Sequence, residues 1–174
     1  ELNMEKQVMR FRFKNPPPEI VHLDLNTTPA TLYQVKPGGS SEVPASQMAK
    51  KVRNMELNYL DLSLAFLYWP RPQHLGEERV TGQKCWKVRV TNPNLNRQGP
   101  YWTVDIWVHQ GSGGAAKMEA FDWNSKLIKR FQVTKVQEVD GATTLKEMKI
   151  ETCNPADGSR TGRTYMTMDN PVKK

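Results

Sequence analysis

The chain has 174 residues and a net charge of +7, with 25 Lys and Arg against 18 Asp and Glu. Its apolar fraction is 37% and its mean hydropathy is −0.68. No apolar run approaches the roughly 18 residues that a membrane-spanning helix needs. Because the basic residues are scattered along the chain, a solvated basic surface is favoured over a nucleic-acid site. We therefore expect one domain over residues 1–174, without a transmembrane segment or a nucleic-acid partner.

The first third of the chain is predicted to form three short strands. Apolar residues that include Phe11 and Phe13 alternate with basic residues, which is the period of a half-buried strand. The three prolines Pro16–Pro18 end this strand, since proline has no amide donor for a sheet. The predicted strands are Lys6–Lys14, Glu19–Asn26 and Thr31–Val35.

A helix is predicted over Ala45–Met55, directly after Pro44. Proline suits the first turn of a helix. Met48, Val52 and Met55 then recur at spacings of four and three, which places them on one apolar stripe. A second short helix is predicted within Tyr59–Phe66.

This second helix has Asp61 as its expected N-cap. It is apolar on nearly all sides, so we expect it to be buried or to cover an apolar surface.

The rest of the chain is predicted to be an up-and-down antiparallel sheet. In Trp102–Val108 every second residue is apolar, and turn signals recur at regular spacing between such segments. The predicted strands are Leu75–Val80, Lys84–Thr91, Tyr101–His109, Ala116–Trp123, Leu127–Val139, Thr144–Thr152 and Gly162–Met168.

The sequence offers no recognisable catalytic or metal-binding constellation. His22, His74 and His109 lack the neighbouring ligands of a zinc site, and no nucleophile elbow or phosphate-binding loop occurs. Asp105 and His109 share one face of a strand, but no nucleophile accompanies them. We therefore expect a protein that is not an enzyme, with no catalytic residue, no metal and no cofactor.

The chain has two cysteines, Cys85 and Cys153, each in or beside a predicted strand. Two cysteines allow one disulfide but not a disulfide framework. One bridge and two buried thiols are both compatible with the sequence.

Large aromatic residues are predicted on both faces of one strand. Trp102 and Trp107 stand at positions of opposite parity, so they point to opposite sides of the sheet. An apolar second side is typical of a sheet that meets a helix or a ligand there. Eight methionines also suit a surface that adapts to varied apolar ligands. Core packing is the competing interpretation.

Several segments together resemble the bacterial outer-membrane lipoprotein-sorting proteins, the LolA-like group. The resemblance covers most of the chain and is densest between Met55 and Gly141. The segments that carry it most clearly are Tyr59–Leu62, Gly76–Cys85, Glu119–Asp122 and Lys126–Lys129.

This resemblance implies a mainly β (α+β) fold, in which a strongly curved antiparallel sheet forms an unclosed half-barrel. One or two short helices would plug its concave side, and the apolar cavity would receive the acyl chains of lipoproteins or other lipids. It also implies a periplasmic protein whose signal peptide has been removed, and the chain begins with Glu rather than Met. The expected lining residues are Phe11, Phe13, Leu64, Phe66, Leu67, Trp86, Trp102, Val104 and Ile106.

A different class of function is the alternative. A cargo-free scaffold would dock another envelope protein through the basic face or through an open sheet edge. Salt separates the two hypotheses, because a charge-driven contact weakens at high ionic strength whereas acyl burial does not.

Overall fold

The computed structural model describes residues 2–3, 8–13, 18–139 and 141–168. The chain divides into two compact units. Among the described residues, the first unit comprises those up to Tyr68 and the second comprises those from Trp69 to Met168. The expectation of a single domain over residues 1–174 stays a prediction.

The first unit contains a five-stranded antiparallel sheet in which each strand pairs with its sequence neighbours. Side chains of the third and fourth strands form its core, in which Val21, Leu23 and Leu32 are at most 3% exposed. The three predicted strands are present with slightly shifted ends. The strands are β1 (Leu2–Asn3), β2 (Val8–Phe13), β3 (Glu19–Asp24), β4 (Thr31–Lys36) and β5 (Gly39–Glu42).

The strand β5 was not predicted from the sequence. All four of its residues, Gly39–Glu42, are exposed. An exposed edge strand buries neither face, so it shows no apolar alternation.

The predicted helix over Ala45–Met55 is wrong. Only a 3-10 helix at Ala45–Gln47 forms there. The backbone N–H of Val52 donates to the carbonyl of Leu57 at 2.7 Å, and Lys51 forms an isolated antiparallel bridge with Asn58. The chain therefore reverses in a turn, and the apolar stripe seen in the sequence does not belong to a helix.

A short helix does form where the second one was predicted, as α1 (Tyr59–Ser63), followed by a 3-10 helix at Ala65–Tyr68. Its N-cap is Asn58, so the expectation of Asp61 as the cap is wrong. Asp61 instead completes a capping box from the third helical position, since it accepts from the backbone N–H of Asn58 at 2.8 Å. The helix ends at Ser63, and its C-cap Leu64 has a left-handed backbone with a φ of 50°.

The second unit contains a seven-stranded antiparallel sheet, ordered as an uninterrupted meander. All seven strands predicted for this part of the chain are present, and β10 has the predicted bounds. The strands are β6 (Gln73–Val80), β7 (Gln83–Thr91), β8 (Thr103–His109), β9 (Ala115–Phe121), β10 (Leu127–Val139), β11 (Ala142–Cys153) and β12 (Arg160–Thr167).

The predicted fold class is confirmed: the protein is mainly β, its sheets are antiparallel, and its helices are few and short. Neither sheet closes, because the first and last strands in each order do not pair with one another among the described residues. None of the helices in the described part of the chain has the length and apolar character of a membrane span.

Candidate functional site

The seven-stranded sheet has one apolar face. Residues that pair across its strands lie on the same face, and the pairing joins Ile106 to Met118, Met118 to Phe131, and Phe131 to Ile150. These four side chains are between 0 and 6% exposed. We call them, together with the half-buried Val88 that pairs with Ile106, the apolar row.

The opposite face carries charges at the adjacent positions of the same strands. Each of six consecutive strands contributes one charged residue, and each pairs directly with the next. We call this set the charged row. Its members, from β7 to β12, are Arg89, Asp105, Glu119, Arg130, Glu151 and Arg163.

Asp105 and Arg89 form an ion pair at one end of the charged row. The guanidinium of Arg89 donates to both carboxylate oxygens of Asp105, at 2.6 and 2.9 Å. Asp105 is 2% exposed. The hydrogen bond to this carboxylate raises the pKa of Arg89. Such a two-point contact has the geometry of a structural pair.

The structure does not join Asp105 to His109 as a reactive pair. The Asp105 carboxylate is held by Arg89, whereas Nδ1 of His109 lies 2.9 Å from the hydroxyl of Ser112 in the following turn. Within the described ranges, no group of three or more His, Cys, Asp and Glu side chains is placed to hold a metal ion.

Glu119 lies in the middle of the charged row and has two cationic partners. The ammonium of Lys117 is 2.9 Å from Oε1 of Glu119, and Nε of Arg130 is 3.0 Å from the same oxygen. Burial acts to raise the pKa of Glu119, but the hydrogen bonds from Lys117 and Arg130 outweigh it and the pKa is lowered.

Glu151 is surrounded by more cations than one carboxylate can neutralise. Arg163 donates to it at 2.6 Å, and Arg130, Lys149 and Arg160 each have a nitrogen 3.7 Å from one of its oxygens. Burial acts to raise the pKa of Glu151, but Arg163, Lys149 and Arg130 outweigh it and the pKa is lowered. Glu151 is therefore ionised at neutral pH, and the positive charge around it remains in excess.

Trp107 lies on the charged face, next to the charged row. It is 3% exposed, and its ring is flanked by the ammonium groups of Lys87 and Lys117, which lie 4.6 and 4.2 Å from the ring centre. Its indole N–H donates to Glu78 at 2.7 Å. That bond, followed by the one from Lys87, lowers the pKa of Glu78.

An open cleft of about 370 Å³ lies over this charged face. All of its lining residues belong to the second unit, so it is formed within one sheet and its hairpin ends. Four of them belong to the ion pairs described above: Lys117, Arg130, Lys149 and Glu151. The lining residues are Glu78, Arg79, Val80, Thr81, Trp107, Lys117, Arg130, Gln132, Lys149 and Glu151.

The predicted lining residues of the first unit differ in accessibility. Phe11 and Phe13 are partly buried on β2, Phe66 is fully buried, and Leu64 is partly buried at the end of α1. Only Leu67 is exposed, at 45%. Leu67 is therefore the most accessible of these five side chains.

Three of the four predicted lining residues of the second unit share the apolar face. Val104 and Ile106 are buried there, whereas Trp86 is 41% exposed. Trp102 precedes β8 and stacks on Trp123 with a separation of 4.8 Å between ring centres. The assignment of these residues to an acyl-binding cavity stays a prediction.

The charged row and its cleft were not found from the sequence. The parity of β8 correctly places Asp105 and Trp107 on one face, but it does not show which residues face them. The partners depend on the register of five strand pairs, which a single sequence does not encode locally. The recurrence of a charged residue within each of six successive strands was the available signal.

Both cysteines are free and buried. Burial is the largest influence on both thiols and raises the pKa of Cys85 and of Cys153. Of the two compatible interpretations of the sequence, the structure therefore shows two buried thiols. Their raised pKa values make them poor nucleophiles at neutral pH.

A family model described as "Uncharacterized protein" matches residues 32–173. The chain belongs to this family. No curated protein matches the chain.

Three solved structures share the fold over nearly the whole chain. An outer membrane lipoprotein-sorting protein domain from Vibrio parahaemolyticus has a TM-score of 0.66 at 14% identity, over 93% of this chain and 74% of that one. A DUF1329 family protein from Desulfovibrio piger has 0.62 at 16% identity, over 91% and 74%. A LolA superfamily protein, NE2245 from Nitrosomonas europaea, has 0.60 at 16% identity, over 91% and 70%.

These similarities confirm the LolA-like fold that the sequence motifs predict. At such low identity the similarity concerns the fold, and the function of this chain has to be argued from its own residues.

Proposed function

We propose that this protein is a non-enzymatic carrier or binder of acyl chains, from lipoproteins or other lipids, in the bacterial periplasm. The observation that carries the proposal is the fold, which matches that of a lipoprotein-sorting domain over 93% of the chain. A carrier of this kind needs an apolar surface and no reactive group.

The apolar face of the second unit supports this proposal. Each methylene group that moves from water into an apolar site contributes about 0.8 kcal/mol, so a long acyl chain binds without any polar contact. Trp86 lies on this face and is 41% exposed, which makes it accessible to a ligand. Leu67 and Tyr68, both 45% exposed, are apolar groups that the first unit presents to solvent.

Titration of the purified chain with a fluorescent fatty acid tests the proposal. We expect saturable uptake that persists at high salt, and weaker uptake in Trp86→Asp and in Leu67→Asp. Leu95→Asp is the matched control, because Leu95 is 82% exposed and outside the proposed lining. Phe66 is unsuitable for this test, since a carboxylate at a fully buried position unfolds the protein. Absence of saturable uptake in the unmodified chain would contradict the proposal.

The proposed location is the periplasm, after removal of a signal peptide. Osmotic-shock fractionation of cells that express the complete precursor measures this directly. We expect the mature chain in the periplasmic fraction, and recovery with cytoplasmic markers would count against a periplasmic carrier.

A docking scaffold for another envelope protein is the second candidate function. The strand β12 ends the sheet order, and its residues alternate between exposed and half-buried over Gly162–Thr167. Such an edge accepts an added strand from a partner. A photo-crosslinker at Tyr165, which is 54% exposed, would trap that partner, whereas one at Leu95 would not. A docking contact made by Arg160 and Arg163 would also weaken as salt rises.

A further inference from the structure

We propose that the cleft on the charged face binds a phosphate group, held by Lys117, Arg130 and Lys149. This site is distinct from the apolar face, and it does not depend on acyl binding. A phosphomonoester, free or as a lipid headgroup, is the ligand chemistry that the charges and the room fit.

The first step is the charge. The lining of the cleft comprises four cations and two carboxylates, which leaves a net charge of +2. The cations are Arg79, Lys117, Arg130 and Lys149, and the carboxylates are Glu78 and Glu151. Hydrogen bonds and neighbouring cations lower the pKa of both carboxylates, so both are ionised at neutral pH and the positive excess remains.

The second step is the availability of donors. Nζ of Lys149 lies 3.7 Å from Glu151, which is an ion-pair distance but too long for a hydrogen bond. Nζ of Lys117 has a hydrogen-bonding distance to Glu119, and an ammonium group has three donors. Both lysines line the cleft, so their remaining N–H groups are free to meet an anion there.

The third step is the shape of the site. The cleft of about 370 Å³ falls at the lower end of the roughly 300–1,000 Å³ of small-molecule sites. Gln132 adds an amide to the lining, and Trp107 adds an apolar wall beside Lys117. A phosphate group with a short organic substituent fits this combination of a cationic centre and an aromatic side.

Phosphate is favoured over a monovalent anion because the size of its negative charge is closer to the net positive charge of the cleft lining. At neutral pH a phosphomonoester carries a charge of about −1.5 to −2 and three acceptor oxygens. Three acceptor oxygens match Lys117, Arg130 and Lys149, which are three of the four cationic side chains that line the cleft.

The test is calorimetric titration of the full chain with three probes. Inorganic phosphate reports the phosphate site alone, and a short-chain monoacylglycerol reports acyl uptake alone. A lysophosphatidic acid of the same chain length reports both. We expect Lys149→Gln to weaken the binding of the phosphate-containing probes about tenfold, the loss of one charge-assisted contact.

Lys135→Gln is the matched control. Lys135 is on β10 of the same sheet and pairs with Glu147, but its side chain is 65% exposed and lies outside the cleft. The charge change is identical, so a general electrostatic effect would appear equally in both variants. Lys117→Gln is a second variant within the cleft.

Each outcome decides the proposal. Binding of inorganic phosphate that Lys149→Gln weakens and Lys135→Gln does not supports the site with free phosphate as a source. The same pattern with lysophosphatidic acid alone supports a lipid headgroup. Equal effects of the two variants would overturn the site, and so would equal affinities for lysophosphatidic acid and monoacylglycerol together with no binding of inorganic phosphate. Monoacylglycerol binding in that last case leaves the carrier function standing, so the two proposals fail separately.

Discussion

The two faces of the seven-stranded sheet are built on the same strands and are both largely buried at their centre, yet they are stabilised differently. Phe131 and Ile150 on the apolar face gain from any close packing, which has no direction. Asp105 and Glu151 on the charged face are equally buried but depend on partners at defined positions. The apolar face therefore depends on the volume that is packed there, whereas the charged face depends on the register of its strands.

The charged row consequently acts against misregistration of the sheet. A slip of one residue between two strands would place charged side chains on the apolar face. It would also leave buried carboxylates without cations, which is costly in a medium of low polarity. Paired charges thus specify the register of the strands, and apolar burial supplies most of the stability of the sheet.

The largest loss in the free energy of unfolding is expected from a substitution on the apolar face. Phe131→Ala removes a side chain that is 2% exposed, so we expect a loss of about 4 kcal/mol in the free energy of unfolding. Gln132→Ala, the adjacent residue on the charged face, is half-buried and should cost less than about 1 kcal/mol. Urea denaturation followed by circular dichroism measures both. Equal losses would show that the two faces are not distinguished by apolar burial.

On the charged face, a substitution is expected to lower the free energy of unfolding by leaving a buried charge unpaired. Arg89→Ala leaves the buried Asp105 carboxylate with Lys87, at 3.8 Å, as its remaining cation in the described part of the chain, and should cost about 3 kcal/mol. The double variant Arg89→Ala, Asp105→Ala should lose less than the sum of the single variants, because no carboxylate remains unpaired. A double-variant cycle in urea gives the coupling, and additive losses would contradict a stabilising pair.

Regular alternation made the second unit predictable from the sequence. The strand Leu127–Val139 was predicted with its observed ends, since apolar and polar residues alternate along most of it. The face shared by Asp105 and Trp107 followed from the same rule. Local periodicity therefore suffices where a strand buries one face.

The sequence was misleading where tertiary pairing overrides a local pattern. Met48, Val52 and Met55 have helical spacing, but the amide of Val52 bonds to Leu57 in a turn. The cation cluster around Glu151 was also not predicted from the sequence, because its members come from three strands, β10, β11 and β12. Such contacts depend on register and are absent from any single segment.

Acid should weaken the charged face selectively. The pKa values of Glu119 and Glu151 are lowered in the folded protein from an ordinary value of 4.5. Their contribution to stability is therefore complete above that ordinary value and is lost as pH falls through the lower folded values. We expect the urea midpoint to fall between about pH 5 and pH 3.

Glu119→Gln should flatten this dependence on pH, because an amide does not titrate. Glu138→Gln, at an exposed position of β10, is the matched control and should leave the slope unchanged. A slope that is the same in all three proteins would show that the Glu119 carboxylate does not govern acid sensitivity.

The smallest loss in the free energy of unfolding is expected at the end of the charged face that carries apolar side chains. Cys85 has the same parity as Lys87 and Arg89, yet it is fully buried in a cluster with Val80 and Trp107. Cys85→Ser replaces a small apolar group by a hydroxyl and should cost about 1 kcal/mol, measurable as a shift in the urea midpoint. Lys84→Ser, at the exposed neighbouring position, is the control. Equal midpoints for the two variants would mean that this end of the face is hydrated, so that its packing against Trp107 contributes nothing to the sheet.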